Sequence, residues 1–172
     1  MTIKLDTVDQ TFLDEAYLEA LKGQSQGGIP IGAVLVVDDV IVSRGYNKRV
    51  QENSMIKHGE TDCIENTKRQ LTPQQLHRAT LYTSLSPCFM CAGMALLFGI
   101  QRIVIGENVT FQQSESLLRA EGCEIIIAND PKFINMMMTF IRQHPKLWGE
   151  DIGKTADEIL AYYKDHEVSI PV

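Results

Sequence analysis

Apolar residues recur along this chain at two spacings, and the switches between them mark its elements. Between Asp9 and Lys22, the apolar Phe12, Ala16, Leu18, Ala20 and Leu21 fall among acids at roughly helical spacing, and Thr7 with Gln10 can form a capping box. The glycines and Pro30 of "GQSQGGIP" end that helix. "IGAVLVVDDVIVSRGYN" then reads as two apolar runs joined at Asp38 and Asp39, the pattern of a β-hairpin. "HGETDCIENTKRQ" predicts a second helix, and residues 80–84 a short buried strand. "PCFMCAGMALLFG" is apolar nearly all round, with a proline at its start and a glycine at its end, and predicts a core helix. A strand over 102–106, a short helix over 114–121 and a strand over 123–128 follow, then a helix capped by Asp130 that runs to about Arg142. Met136, Met137 and Met138 on that helix read as core filling. Beyond Gly153, "KTADEILAYYKDHEVSIPV" predicts a terminal helix and a tail.

After the hairpin, helices and strands alternate. That order predicts an α/β fold, a three-layer α/β/α sandwich around a central five-stranded mixed sheet. With 172 residues the chain is one domain by length, able to bury roughly 70% of its unfolded surface. The opening "MTIKLDTVDQTFLDEA" lacks the basic patch and apolar run of an export signal, and no stretch has the length of a membrane span. Four cysteines in such a chain point to a reducing compartment, the cytoplasm. The formal charge is −6 and the basic residues are scattered, which argues against a nucleic-acid substrate.

The candidate chemistry lies in two motifs. His58 opens the helix that begins "HGE", and Cys88 and Cys91 sit three apart at the start of another, a spacing that turns both sulfurs to one face. One histidine and two thiolates make a three-ligand zinc site with its fourth position open to water, one ion per chain. Glu60 follows His58 by two residues, close enough to the metal to shuttle protons without binding it. The two motifs together satisfy the zinc-deaminase signature H-x-E…P-C-x-x-C. A C-x-x-C pair alone also fits a redox pair or a structural zinc module, but neither of those requires Glu60.

At these residues the chain resembles the cytidine and nucleobase deaminase superfamily, and within it the fungal-type cytosine deaminases. The likeness runs from about Asp14 to Gly153 through "GGIPIGAVL", "RGYNKR", "HGET", "IEN", "TLYTSLSPCFMC", "VIGENVTF" and the subfamily-specific "WGEDIG". It implies a cytidine deaminase-like fold in residues 1–153, with 154–172 as a helix and tail on the same domain. It also implies hydrolytic deamination of a free nucleobase, cytosine to uracil and ammonia, by a homodimer. In that reading His58, Cys88 and Cys91 hold zinc and Glu60 moves protons. Asn47 bonds the pyrimidine, and the backbones of Gly59 and Ser86 hold the base edge. Asp151 recognises the amino group, Phe111 and Trp148 close over the ring, and Ile31 lines the apolar wall.

Three places depart from the fungal pattern. Thr61, Asp62 and Cys63 follow "HGE", with Cys63 placed where it could face the pocket; Gly149 thins the space beside Trp148; and the chain continues past Lys154. Each bears on the size and polarity of the pocket, so isocytosine, guanine, creatinine or a pterin stand as alternative substrates. A tRNA adenosine deaminase is a more distant alternative.

Overall fold

The computed structural model describes residues 5–165. Its elements in chain order are α1 (Thr7–Ser25), β1 (Gly32–Val37), β2 (Val40–Tyr46), α2 (Gly59–Glu65), α3 (Pro73–Arg78), β3 (Thr80–Leu85), α4 (Phe89–Leu97), β4 (Arg102–Glu107), α5 (Glu115–Ala120), β5 (Glu124–Ile127), α6 (Pro131–Gln143), α7 (Pro145–Ile152) and α8 (Ala156–Asp165). The five strands form one sheet in the order β2-β1-β3-β4-β5. The strand β1 is antiparallel to β2 and β3, while β3, β4 and β5 run parallel.

The hairpin between β1 and β2 turns on Asp38 and Asp39, at φ 50° and 61°, the left-handed pair that matches strand twist in a two-residue turn. All of β1 is buried, so its alternate side chains feed two cores. Ala33, Leu35 and Val37 pack with Cys63 of α2, Ala92 and Ala95 of α4 and Leu118 of α5. Val34 and Val36 pack on the other side with Leu13, Ala16 and Ala20 of α1 and with Phe133 and Met136 of α6. This is the expected three-layer sandwich. A third cluster, with Ile29, Ile31, Leu85, Met137, Trp148 and Ile159, covers the end of the sheet where β1 begins and β3 finishes.

Several local expectations change. The cap of α1 is Asp6, whose carboxylate accepts from Asp9 N at 2.7 Å; Thr7 is already helical, so the Thr7–Gln10 capping box does not form. The second helix stops at Glu65 with Asn66 as its C-cap, and beyond it Lys68 and Arg69 take left-handed φ values of 49° and 61°. A further short helix, α3, follows, started by a Thr72–Gln75 capping box and Pro73. Cys88 is the N-cap of α4 rather than part of its first turn. Past the predicted end of α6, Pro145 starts α7, which Gly153 closes at φ 71°. Asp130 caps α6 as expected, accepting from Lys132 N at 3.0 Å, and the three methionines are buried. The predicted terminal helix is present as α8, while the tail 166–172 lies outside the described residues.

Candidate active site

The loops that leave the sheet at this end bring the two sequence motifs together. The segment before α2 delivers His58, and the turn from β3 into α4 delivers Cys88 and Cys91. His58 Nδ1 lies 3.5 Å from Cys88 Sγ and 3.7 Å from Cys91 Sγ, and the two sulfurs are 3.7 Å apart. These three distances test whether a metal fits. A tetrahedral zinc with ordinary Zn–N and Zn–S bonds requires about 3.6 Å between nitrogen and sulfur and about 3.8 Å between sulfurs. The spacing is therefore that of a coordination shell.

The electrostatics agree. Hydrogen bonds from Cys91 and then from His58 lower the Cys88 thiol to about 4 against the opposing effect of burial. Cys91 is pushed up instead, by sharing with Cys88 and by burial. One thiolate is thus ready at neutral pH, and the second proton leaves as a cation binds. Burial would depress His58, but its hydrogen bond with Cys88 and the charge of Asp151 raise it. The far ring nitrogen, Nε2, lies 3.5 Å from Asp151 Oδ1, the carboxylate placement that fixes a ligating imidazole.

Glu60, 3% exposed, lies inside the site but is not one of the three candidate ligands. Thr83 Oγ1 lies 3.2 Å from its Oε1, and the Cys91 thiol points at its Oε2 from 3.4 Å. Burial pushes its carboxyl up to about 7, with the Cys88 charge adding.

The cavity beside this cluster is about 20 Å³ and is lined by Ile31, His58, Glu60, Leu85, Ser86, Cys88, Phe111, Trp148, Asp151 and Ile152. That is room for about one water, so a base enters only when a wall moves. Phe111 and Trp148 meet edge to face, with centroids 5.7 Å apart at 86°. Asn47 is fully buried beside Asp151, with its Nδ2 donating to Asp151 Oδ1 at 3.3 Å and its Oδ1 accepting from Arg49 N at 3.1 Å. One N–H and one lone pair of its amide take no part in these bonds, and neither Asn47 nor Gly59 is among the residues that line the cavity. Gly59 begins α2 against β1, where a Cβ would lie 3.0 Å from Ile31 O. Ser86 narrows the expectation for its backbone. Its N–H donates to Glu107 O at 3.0 Å, extending the β3–β4 pairing, so its carbonyl is the group left for a base edge.

Asp62, Cys63 and Gly149 all stay out of the cavity. Cys63 turns into the core, fully buried, and Gly45 packs on its backbone so tightly that a Cβ there would lie 2.2 Å from Cys63 N. Asp62 is taken up by Lys48 Nζ at 2.9 Å and by Tyr46 N at 3.2 Å. A Cβ on Gly149 would lie 2.4 Å from Lys154 O, so that space is filled by the returning chain and does not enlarge the pocket.

Four contributors escaped sequence reasoning. Leu85 and Ile152 add apolar wall, Thr83 holds Glu60, and Arg49 Nη1 binds Asp151 Oδ1 at 2.9 Å. Thr83 and Arg49 did leave a signal: a polar residue at a buried strand position, and a cation two residues after Asn47.

Comparison with known proteins gives the same picture. Residues 6–107 match the family described as the cytidine and deoxycytidylate deaminase zinc-binding region. A cytosine deaminase of Candida albicans is 44% identical over 147 residues, 85% of this chain and 97% of that one. A tRNA-specific adenosine deaminase of Bacillus subtilis is 40% identical over 100 residues, 58% of this chain and 62% of that one. The guanine deaminase of Nitrosomonas europaea shares the fold, with a TM-score of 0.67 at 14% identity over 81% of this chain and 87% of that one. The match covers more than half of the chain, and its histidine and two cysteines stand at zinc-ligand spacing. The chain belongs to the cytidine and deoxycytidylate deaminase family and is a hydrolytic deaminase that uses one zinc ion.

Proposed function

We propose that the chain converts free cytosine to uracil and ammonia. The observation that carries this reading is a cavity beside the three-ligand metal cluster, lined by the carboxylates of Glu60 and Asp151 and by the rings of Phe111 and Trp148. Bound there by His58, Cys88 and Cys91, zinc would supply a hydroxide nucleophile at neutral pH. The chain's own groups complement the rim of the ring. Cytosine offers a carbonyl acceptor, a ring nitrogen and an exocyclic amine. The remaining Asn47 N–H and the Gly59 N–H suit the carbonyl. The Ser86 carbonyl and Asp151 Oδ2 suit the amine, since Oδ1 already serves Arg49 and Asn47. Glu60 is placed to carry a proton to the ring nitrogen and then to the leaving ammonia, with Thr83 holding its carboxylate. Phe111 and Trp148 keep bulk water away while this happens.

A bicyclic guanine or pterin would displace more of the wall than a pyrimidine. A base flipped from tRNA would have to pass a wall closed by Phe111 and Trp148 on a chain of net charge −6. Measuring ammonia release from cytosine, isocytosine, guanine, creatinine, cytidine and a tRNA anticodon stem tests the reading. Cytosine should be turned over best; turnover of the RNA alone would overturn it.

The deaminase domain runs to Gly153, and α8 extends it. Phe89, Met90, Leu97 and Phe98 leave an exposed apolar face on and beside α4, which a second copy would cover in a homodimer. Among the described residues no helix is long and apolar enough to cross a membrane, and the cysteine usage fits the cytoplasm.

A further inference from the structure

The two rings that close the pocket sit on different segments, Phe111 on the loop after β4 and Trp148 on α7. The loop is shaped from inside by Glu107, a fully buried carboxylate that accepts from Val109 N at 2.7 Å, Thr110 N at 2.9 Å and the Thr110 hydroxyl. The Thr110 carbonyl accepts a hydrogen bond from the Tyr163 hydroxyl of α8 at 2.5 Å. Trp148 is 1% exposed, and its indole N–H closes no hydrogen bond among the described residues. Tyr163 and Phe111 both pack against the buried cluster that contains Trp148.

The chain reaches this arrangement by turning back after α7. Gly149, next to Trp148, allows the close approach of Lys154, whose N–H donates to Gly149 O at 2.8 Å, and Gly153 supplies the left-handed turn. Ile159 of α8 then packs in the same cluster as Trp148. Outside Phe111 and Ile152 lies a cavity of about 520 Å³, also lined by Gln112, Ile159 and Tyr163. It is space into which the wall can move.

We propose that Tyr163 is a positioning residue that straps the two aromatic walls together, its hydroxyl bonding the Thr110 carbonyl next to Phe111 while its ring packs against the cluster of Trp148. The strap sets how readily the walls part to admit a base and release product. It lies on α8, beyond Gly153, where the resemblance to the fungal enzymes ends. The inference rests on the pocket reading above.

Tyr163→Phe removes only the hydroxyl. Trp148 is the sole tryptophan of the chain, so its fluorescence reports the wall directly. Acrylamide quenching without substrate should rise about threefold in the variant, from a population shift of the size one neutral hydrogen bond supports. With cytosine, KM should rise about fivefold while kcat changes less than twofold, the signature of lost uniform binding. Unchanged quenching would overturn the strap whatever the substrate proves to be. Equal losses in kcat and kcat/KM with unchanged KM would overturn it as well. If cytosine is not turned over but quenching rises, the strap stands and the substrate reading fails.

Discussion

Arg49→Met most directly perturbs the surroundings of Asp151. The guanidinium of Arg49 binds Asp151 Oδ1 at 2.9 Å, with the two side chains 11% and 2% exposed. Methionine keeps most of the buried stem and removes the charge. Leaving one member of a buried ion pair without its partner costs about 3 to 5 kcal/mol. Arg49 keeps slight contact with solvent and its Nε already lacks a partner, so the loss should fall near the lower end, about 3 kcal/mol. For a domain of this size that lowers Tm by about 6 to 12 °C. Asp151 would then lean toward its other neighbours, Asn47 Nδ2 at 3.3 Å and His58 Nε2 at 3.5 Å, and leave its place at the cavity edge. A displacement on the order of 1 Å is expected to cut kcat/KM about 10²-fold with the zinc content unchanged. Urea unfolding, metal analysis and a spectrophotometric cytosine assay read the three quantities. Combining Arg49→Met with Asp151→Asn should recover about 2 kcal/mol of the stability loss relative to additivity. A variant within 1 kcal/mol of the parent and fully active would refute the dependence of Asp151 on Arg49.

Other outcomes follow from other parts of the molecule. Removing zinc with a strong chelator should abolish ammonia release and lower Tm, since His58, Cys88 and Cys91 join α2 to α4; returning zinc should restore both. The Arg102 guanidinium, bonded to Asp9 Oδ2 at 2.7 Å, holds the Asp9 carboxyl below its usual range, against burial and with help from Tyr82. Its stabilising contribution is full above the ordinary carboxylate range and is lost as pH falls through the depressed value. Asp9→Asn should therefore be less stable at pH 7, with the gap to the parent closing in acid; unfolding curves at both pH values check the sign. Sedimentation equilibrium should find two copies per particle, and Leu97→Glu, at a side chain 79% exposed, should shift the particle toward one copy.

The layers of the fold were legible because "GAVLVV" is a short continuous apolar run, which suits a strand covered on both faces, and because helices and strands alternate after the hairpin. The metal cluster was legible because its ligands come in short motifs whose local geometry limits where the side chains can point. What escaped depends on contacts distant in sequence. No element was expected between about Arg142 and Gly153, where Pro145, a residue suited to begin a helix, starts α7. Asp62 and Cys63 follow Glu60 directly, yet one turns to Lys48 and the other to the core; only the packing of α2 on β2 separates them from the pocket. The N–H of Ser86 was available on sequence grounds until β4 paired beside β3 and took it. Thr83 and Arg49 act on Glu60 and Asp151 over 23 and 102 positions of chain, distances no local pattern spans.

The most direct test is to assay the parent and Glu60→Gln side by side for zinc content and for ammonia and uracil formed from cytosine. The account predicts one zinc per chain in both proteins, equal amounts of the two products from the parent, and a loss of about 10² to 10⁴-fold in the variant. A zinc-loaded parent that releases no ammonia from cytosine, or a Glu60→Gln protein that keeps the full rate, would contradict it.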